Sequence, residues 1–216
     1  MSDSAAETAL LAQMNRVAPP VVRLGCRLIR AGDEALLLPE EAALLPARQL
    51  AARRSSGAAR ALARGLLAAE GITSVAIGRG PAGDPLWPAG FAGSLAHDDE
   101  MAVAALARKA DIPSLGIDVE PAEPLPDEIA ALAVVPGDVL AGVDPRLAAR
   151  LLFSAKEAVY KAAYPLDGEI LGYEHIGVDL VRGEAVTARG RRMRLSFCLL
   201  PRIVVLAVAE DQPASR

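Results

Sequence analysis

Asp118 and Glu120 stand at i and i+2 in the run Leu115-Gly116-Ile117-Asp118-Val119-Glu120. Side chains alternate across a strand, so the run predicts a short buried strand with both carboxylates on one face and Ile117 and Val119 on the other. Two adjacent carboxylates repel and call for a compensating cation or for water. A hard divalent ion such as Mg²⁺ takes oxygen ligands and often binds one or two carboxylates together with substrate phosphates. A third carboxylate and two cations follow at Glu157, Lys156 and Lys161, with Glu157 and Lys161 at the favourable i,i+4 spacing. The same spacing also describes an ordinary surface ion pair worth about 0.3–0.5 kcal/mol. Arg48, Arg53, Arg54, Arg60 and Arg64 crowd a stretch with no acid between Glu41 and Glu70. Arg60 and Arg64, at i,i+4, repel weakly, which points to an anionic partner or to a solvated face. His97 is one of two histidines, and the single tryptophan, Trp87, sits in the Pro85-Leu86-Trp87-Pro88 loop. Alone, each reads more readily as a packing residue than as a ligand contact.

The elements that must position these groups follow from pattern and punctuation. Residues 1–18 read as a flexible lead-in with a helical turn near Ala9–Met14, and 211–216 as a frayed tail. Val21–Ile29 alternates as a strand. Pro39 with Glu40 and Glu41 opens a short helix. Ala47–Glu70 is a long Ala/Leu/Arg helix stopped by Gly71, with Ser55-Ser56-Gly57 placed to kink or split it. Val75–Ile77 and Met101–Ala107 are strands on either side of a Gly/Pro-rich loop. Asp127–Ala133 is a short helix. Asp144 and Pro145 supply an N-cap and N1 for a helix running to about Ala163. Its core stripe is Leu147, Leu151, Leu152, Ala155, Val159 and Ala162. Tyr173–Leu180, Glu184–Ala188, Arg191–Leu200 and Ile203–Ala209 close the chain as an antiparallel set. Each half, 19–110 and 111–210, thus carries a long helix and a group of strands.

With 216 residues and 52% hydrophobic content, the chain can bury one sizeable core or two coupled lobes. A net charge of −4 argues against a general nucleic-acid binder. No run approaches the roughly 18 apolar residues of a membrane span, and the polar, acidic N-terminus lacks the features of a signal peptide. The expectation is a soluble, cytoplasmic protein. Cys26 and Cys198 read as small buried hydrophobes rather than a zinc site.

Taken together, Gly116-Ile117-Asp118-Val119-Glu120 and Phe153-Ser154-Ala155-Lys156-Glu157-Ala158-Val159-Tyr160-Lys161 resemble the paired signatures of 4′-phosphopantetheinyl transferases. Arg60-x-x-Ala63-Arg64, Pro85-Leu86-Trp87-Pro88 and Gly93-Ser94-Leu95-Ala96-His97 resemble upstream segments of the enterobactin-synthetase type. The resemblance covers roughly residues 40–180. It implies an α+β fold of two similar, pseudo-symmetric lobes, each a small mostly antiparallel sheet on a long helix, with the active site in the cleft between them. It also implies Mg²⁺-dependent transfer of 4′-phosphopantetheine from coenzyme A to a serine of an apo acyl or peptidyl carrier protein, releasing 3′,5′-ADP. The setting it implies is secondary-metabolite or siderophore biosynthesis by a monomer.

By the same resemblance, Asp118, Glu120 and Glu157 hold the metal, and Lys161 reaches a phosphate oxygen. Lys156, Arg53, Arg60 and His97 bind the cofactor. Glu157 or a water on the metal takes the serine proton. Four departures stand out: Ala96 replaces the usual Ser or Thr, Ala59 the usual Gly, no Lys or Arg directly precedes Pro85, and Asp98-Asp99 follow His97. Two acids beside His97 should raise its pKa, and they would also repel phosphate. A non-catalytic coenzyme A- or carrier-binding module on this fold is the alternative, with an unrelated Mg²⁺-dependent phosphohydrolase behind it.

Overall fold

The computed structural model describes residues 3–46 and 48–210, so the expected frayed tail lies outside the described residues. The expected lead-in is a helix, α1 (Asp3–Val17). Leu10 and Met14, one turn apart, are buried in a core with Val22 and Cys26 of the following segment. The Glu7 carboxylate accepts from the Leu28 amide at 2.8 Å and from Arg30 at 3.0 Å, fixing α1 across the end of strand β1 (Arg23–Leu28). So few apolar residues carry this helix that its pattern was faint in sequence.

A short α2 (Pro39–Ala42) leads into α3 (Leu50–Ala69). The Ser55-Ser56-Gly57 run does not break α3. A Cβ at Gly57 would overlap the Asp33 carbonyl, so the glycine lets the 33–36 turn approach the helix backbone. Gly71, at φ 83°, stops the helix as expected, with the Ile72 amide returning to the Leu67 carbonyl at 2.9 Å. The hairpin β2 (Gly78–Arg79) and β3 (Pro85–Leu86) precedes β4 (Phe91–His97) and β5 (Met101–Arg108). Val75–Ile77 is not a strand: the Ile77 amide donates to Glu41 at 2.9 Å. The first sheet has the order β1-β5-β4, all antiparallel, and α3 buries Ala58, Ala59, Ala63 and Leu67 toward it.

The second lobe begins with β6 (Leu115–Pro121), then α4 (Asp127–Ala133) and α5 (Pro145–Asp167). Asp144 caps α5 by accepting from the Arg146 amide at 2.9 Å. The helix runs one turn beyond the expected end. Pro165 lies in its last turn, where one lost hydrogen bond is tolerated, and Gly168 at φ 65° closes it. β7 (Ile176–Asp179), β8 (Glu184–Thr187), β9 (Arg192–Cys198) and β10 (Arg202–Ala209) complete an antiparallel sheet of order β6-β10-β9-β8-β7. Tyr173–His175 form a 3-10 turn rather than the start of β7. The fold is therefore α+β with two lobes, each a sheet on a long helix.

β6 joins the lobes. Ile117 and Val119 share one core with Met14, Val103 and Val204. The other side of β6 lies on α5, where a Cβ at Gly116 would overlap the Ala158 carbonyl and sit 2.7 Å from the Ala162 nitrogen. The Ser114 hydroxyl donates to the Ala162 carbonyl at 2.7 Å. Gly116→Ala is therefore expected to lower stability by about 1–3 kcal/mol through overpacking, read as a lower urea midpoint at unchanged slope. A wild-type midpoint would contradict this packing.

Candidate functional site

Strand alternation turns Ile117 and Val119 into the core and leaves Asp118 and Glu120 facing α5. Asp118 is 6% exposed. Its Oδ1 accepts from Lys161 Nζ at 2.6 Å, and the same ammonium lies 3.3 Å from the Ile117 carbonyl. Asp118 Oδ2 is buried with no hydrogen-bond partner. Glu120 Oε2 accepts from Arg150 Nη1 at 2.6 Å. Arg150 also donates to the carbonyls of Glu123 and Pro124, both at 2.8 Å, so it ties the chain after β6 to α5. Burial raises the Glu120 pKa; the Arg150 hydrogen bond opposes this, and the charge of Asp118 adds to it. Glu157 Oε1 accepts from the Tyr173 hydroxyl at 2.9 Å. The Tyr173 phenol is pushed up by burial first, then by Glu157, and further by Asp118 and Glu120. All three expected carboxylates therefore bear on one hydroxyl.

Their donor chemistry suits a hard divalent ion, and the buried, unpaired Asp118 Oδ2 is the atom such an ion would satisfy. Among the described residues, however, no three His, Cys, Asp or Glu side chains close into a metal-holding group. The carboxylates instead hold Lys161, Arg150 and Tyr173.

The two motif lysines part company. Lys161 is partly exposed and lines a cavity of about 440 Å³ with Trp87, Gly93, Ser94, Tyr160 and Tyr164. This cavity lies between the lobes. A Cβ at Gly93 would sit against the Trp87 ring, so the glycine lets the indole lie on β4. Lys156 does not reach the cavity. It is 0% exposed, its Nζ 2.8 Å from Asp138 and 3.0 Å from the Tyr173 carbonyl. Where a cofactor contact was expected, the structure shows a buried ion pair: Lys156 stands five positions before Lys161, about 140° around the helix.

Arg53, Arg54, Arg60 and Arg64 of the arginine cluster all have partners within the protein. Arg64 pairs with the fully buried Glu41 at 2.5 Å, and Arg54 with Glu34 at 2.9 Å. Arg53 donates to the Ala42 and Leu45 carbonyls at 2.9 and 3.0 Å. Arg60 is buried, donating to the Ile77 carbonyl at 3.0 Å and to the Ser56 hydroxyl, and burial lowers its pKa. In this structure Arg53 and Arg60, expected as phosphate contacts, clamp the α2–α3 connection and Ile77. The missing acids come from residues 34–41, outside the acid-free window.

His97 ends β4, beside a second cavity of about 360 Å³ lined also by Arg30, Arg54 and Ser55. Water still reaches the residue, yet the protein packed around its ring lowers its pKa. The Lys161 charge lowers it further, while Asp98 and Asp118 oppose. The expected rise does not occur. Asp98 is turned to Arg202 and to the amides of Glu100 and Met101, at 2.8 and 2.7 Å, so its charge is already compensated.

Arg150, Asp138 and Tyr173 were not singled out in the sequence. Arg150 could have been: it lies seven residues before Glu157 and eleven before Lys161, on their face of α5. Nothing local marks Asp138 or Tyr173.

Residues 40–107 match the family model of the 4′-phosphopantetheinyl transferase N-terminal domain, and residues 114–208 that of the 4′-phosphopantetheinyl transferase superfamily. The chain is 43% identical over 143 residues to "4′-phosphopantetheinyl transferase Npt" of Nocardia iowensis, covering 64% of each chain. It is 44% identical over 146 residues to "4′-phosphopantetheinyl transferase Svp" of Streptomyces mobaraensis, covering 64% of this chain and 59% of that one. It is 39% identical over 142 residues to "4′-phosphopantetheinyl transferase PptT" of Mycobacterium tuberculosis, covering 63% of this chain and 62% of the relative. The matched stretch spans slightly less than two thirds of each of these curated relatives.

A lowered pKa leaves His97 neutral at pH 7, and a nearby phosphate would raise it. Proton NMR titration of the His97 ring is expected to give a midpoint below 6.5 in the free protein, moving upward with pyrophosphate. A midpoint above 6.5 without ligand would contradict the crowding described.

Proposed function

We propose that this chain, which belongs to the 4′-phosphopantetheinyl transferase superfamily through its two matched stretches, transfers 4′-phosphopantetheine from coenzyme A to a serine of an apo acyl or peptidyl carrier protein, with release of 3′,5′-ADP. The observation that carries this reading is the Asp118–Lys161 pair at the seam between the lobes, with Asp118 Oδ2 unpaired beside it and the 440 Å³ cavity in front of Lys161. A pyrophosphate there would meet one ammonium and one side of a carboxylate set.

In this proposal Asp118, Glu120 and Glu157 hold Mg²⁺. The ion, when bound, would neutralise charge that builds on the pyrophosphate oxygens. Lys161 orients the phosphate and stabilises the departing one. Glu157 accepts from Tyr173 through Oε1, and its carboxylate, or a water on the metal, would take the serine proton. Arg150, bonded to Glu120, opposes the rise in pKa that burial imposes on that carboxyl. His97 meets the nucleotide phosphates from the opposite lobe, with Arg30 and Arg54 lining the same cavity. One chain supplies both walls of the cleft, which supports action as a monomer. No helix among the described residues is long and apolar enough to cross a membrane, and a cytoplasmic site, where coenzyme A and carriers meet, belongs to the same proposal.

Incubation with coenzyme A and several apo-carrier proteins, with and without Mg²⁺, is expected to add one phosphopantetheinyl group, read by mass spectrometry. Asp118→Ala, Glu157→Ala and Lys161→Ala should each cut the rate at least about 100-fold. Full activity in the first two would remove the metal assignment. Calorimetric coenzyme A binding without any mass gain would support one rival, a binding module. Release of 3′,5′-ADP without a carrier would support a phosphohydrolase.

A further inference from the structure

Two neighbouring residues of α5 grip opposite ends of one tyrosine. Lys156 Nζ donates to the backbone carbonyl of Tyr173 at 3.0 Å, and the Tyr173 hydroxyl donates to Glu157 Oε1 at 2.9 Å. The Phe153 ring, one turn earlier, flanks the tyrosine with ring centroids 5.7 Å apart. Lys156 is itself fixed by Asp138, and the pair is all but sealed from water, with side chains 0% and 1% exposed. Asp138 spends its remaining capacity on backbone. Its Oδ1 accepts from the Val178 amide and its Oδ2 from the Val135 amide, both at 3.0 Å. The ion pair therefore pins the end of α4, the turn carrying Tyr173 and strand β7 to a single point on α5.

Stability alone is a poor reason for such a pair. A buried ion pair replaced by apolar residues of similar volume often leaves a protein equally or more stable. What it provides here is a fixed origin for the Tyr173 ring, and the ring's hydroxyl ends on the carboxylate that must keep one orientation. We propose that the Asp138–Lys156 pair is a positioning device: it sets the backbone of Tyr173, whose hydroxyl holds Glu157 in the orientation used in phosphopantetheinyl transfer. The motif lysine thus acts on the site from beneath it, through the tyrosine, and not by touching the cofactor. The part played by Glu157 rests on the reading given above; the mechanical chain from Asp138 to Glu157 does not.

Tyr173→Phe removes only the hydroxyl and keeps the ring against Phe153. It should leave hydrogen exchange of the β7 amides unchanged and coenzyme A affinity within about threefold, while kcat falls about 10- to 100-fold and the carrier KM stays put. Single changes at Lys156 or Asp138 strand a buried charge and can fail to fold, so the paired variant Lys156→Met with Asp138→Leu is the informative one. It should fold, speed exchange at the Val178 amide about tenfold or more, and lose kcat as Tyr173→Phe does. Adding Tyr173→Phe to it should cost no more than about twofold further, since both act through one contact. The Glu157 side-chain carboxyl carbon resonance, assigned by its loss in Glu157→Gln, should shift in both variants whether or not any carrier is loaded. An unmoved resonance, or a kcat within twofold of wild type in Tyr173→Phe, overturns the inference. Failure of the wild type to load any carrier overturns the functional reading instead and leaves the resonance test standing.

Discussion

The backbone of β6 lies against the backbone of α5 with no side chain between them at Gly116, and the site follows from that contact. A strand and a helix normally keep a layer of side chains apart. Here the layer is missing at one point, and the Ser114 hydroxyl is bonded to the helix carbonyl at Ala162. Two residues further on, Asp118 is within reach of Lys161, and two beyond that Glu120 meets Arg150. With a larger residue at 116 the carboxylates would stand away from the helix, and their cations could not span the gap.

Charge is distributed by the same economy. Few ionic groups in the cleft are left without a counterpart, but each counterpart comes from a distant part of the chain. Glu41 shows this most plainly. It is 0% exposed and accepts from Arg64, from the Ile77 amide and from the Leu38 amide, joining α2, α3 and the approach to β2. A buried carboxylate is tolerable only when donors surround it in this way. Arg202 does the same between lobes, meeting Asp98 and Glu100 from β10.

What was legible in the sequence was what depends on near neighbours. The alternation of Ile117, Asp118, Val119 and Glu120 gave the strand and its faces. Asp144-Pro145 marked the start of α5, and Gly71 the end of α3, because caps are local chemistry. Asp118 and Lys161 were recognised as site residues from their motifs and do meet. Two of the misreadings share a cause, that pairing is set by residues remote in sequence; the others are local. The arginine stretch looked unneutralised because Glu34 and Glu41 fold back onto it from upstream. Lys156 and Lys161 looked alike as motif lysines, but their helix phases send one into the core and one into the cleft. His97 does feel Asp98, but burial outweighs it, and Arg202 meets that acid from over a hundred residues away. Residues 3–17 carried too thin an apolar stripe to announce the helix they form.

The shared core around β6 has a consequence for how the two lobes relate. Ile117 and Val119 are packed with Leu10, Met14, Val103 and Val204, so side chains from α1, the first sheet and the second sheet fill one space. The lobes are alike in outline and each has a core of its own, yet the core around β6 belongs to both. A chain cut after Arg108 would leave each fragment with half a wall, and the pair would have to find each other to bury it. The cleft is thus a groove in one cooperative body, more than a gap between two modules, and its width is governed by the same packing that keeps the protein folded.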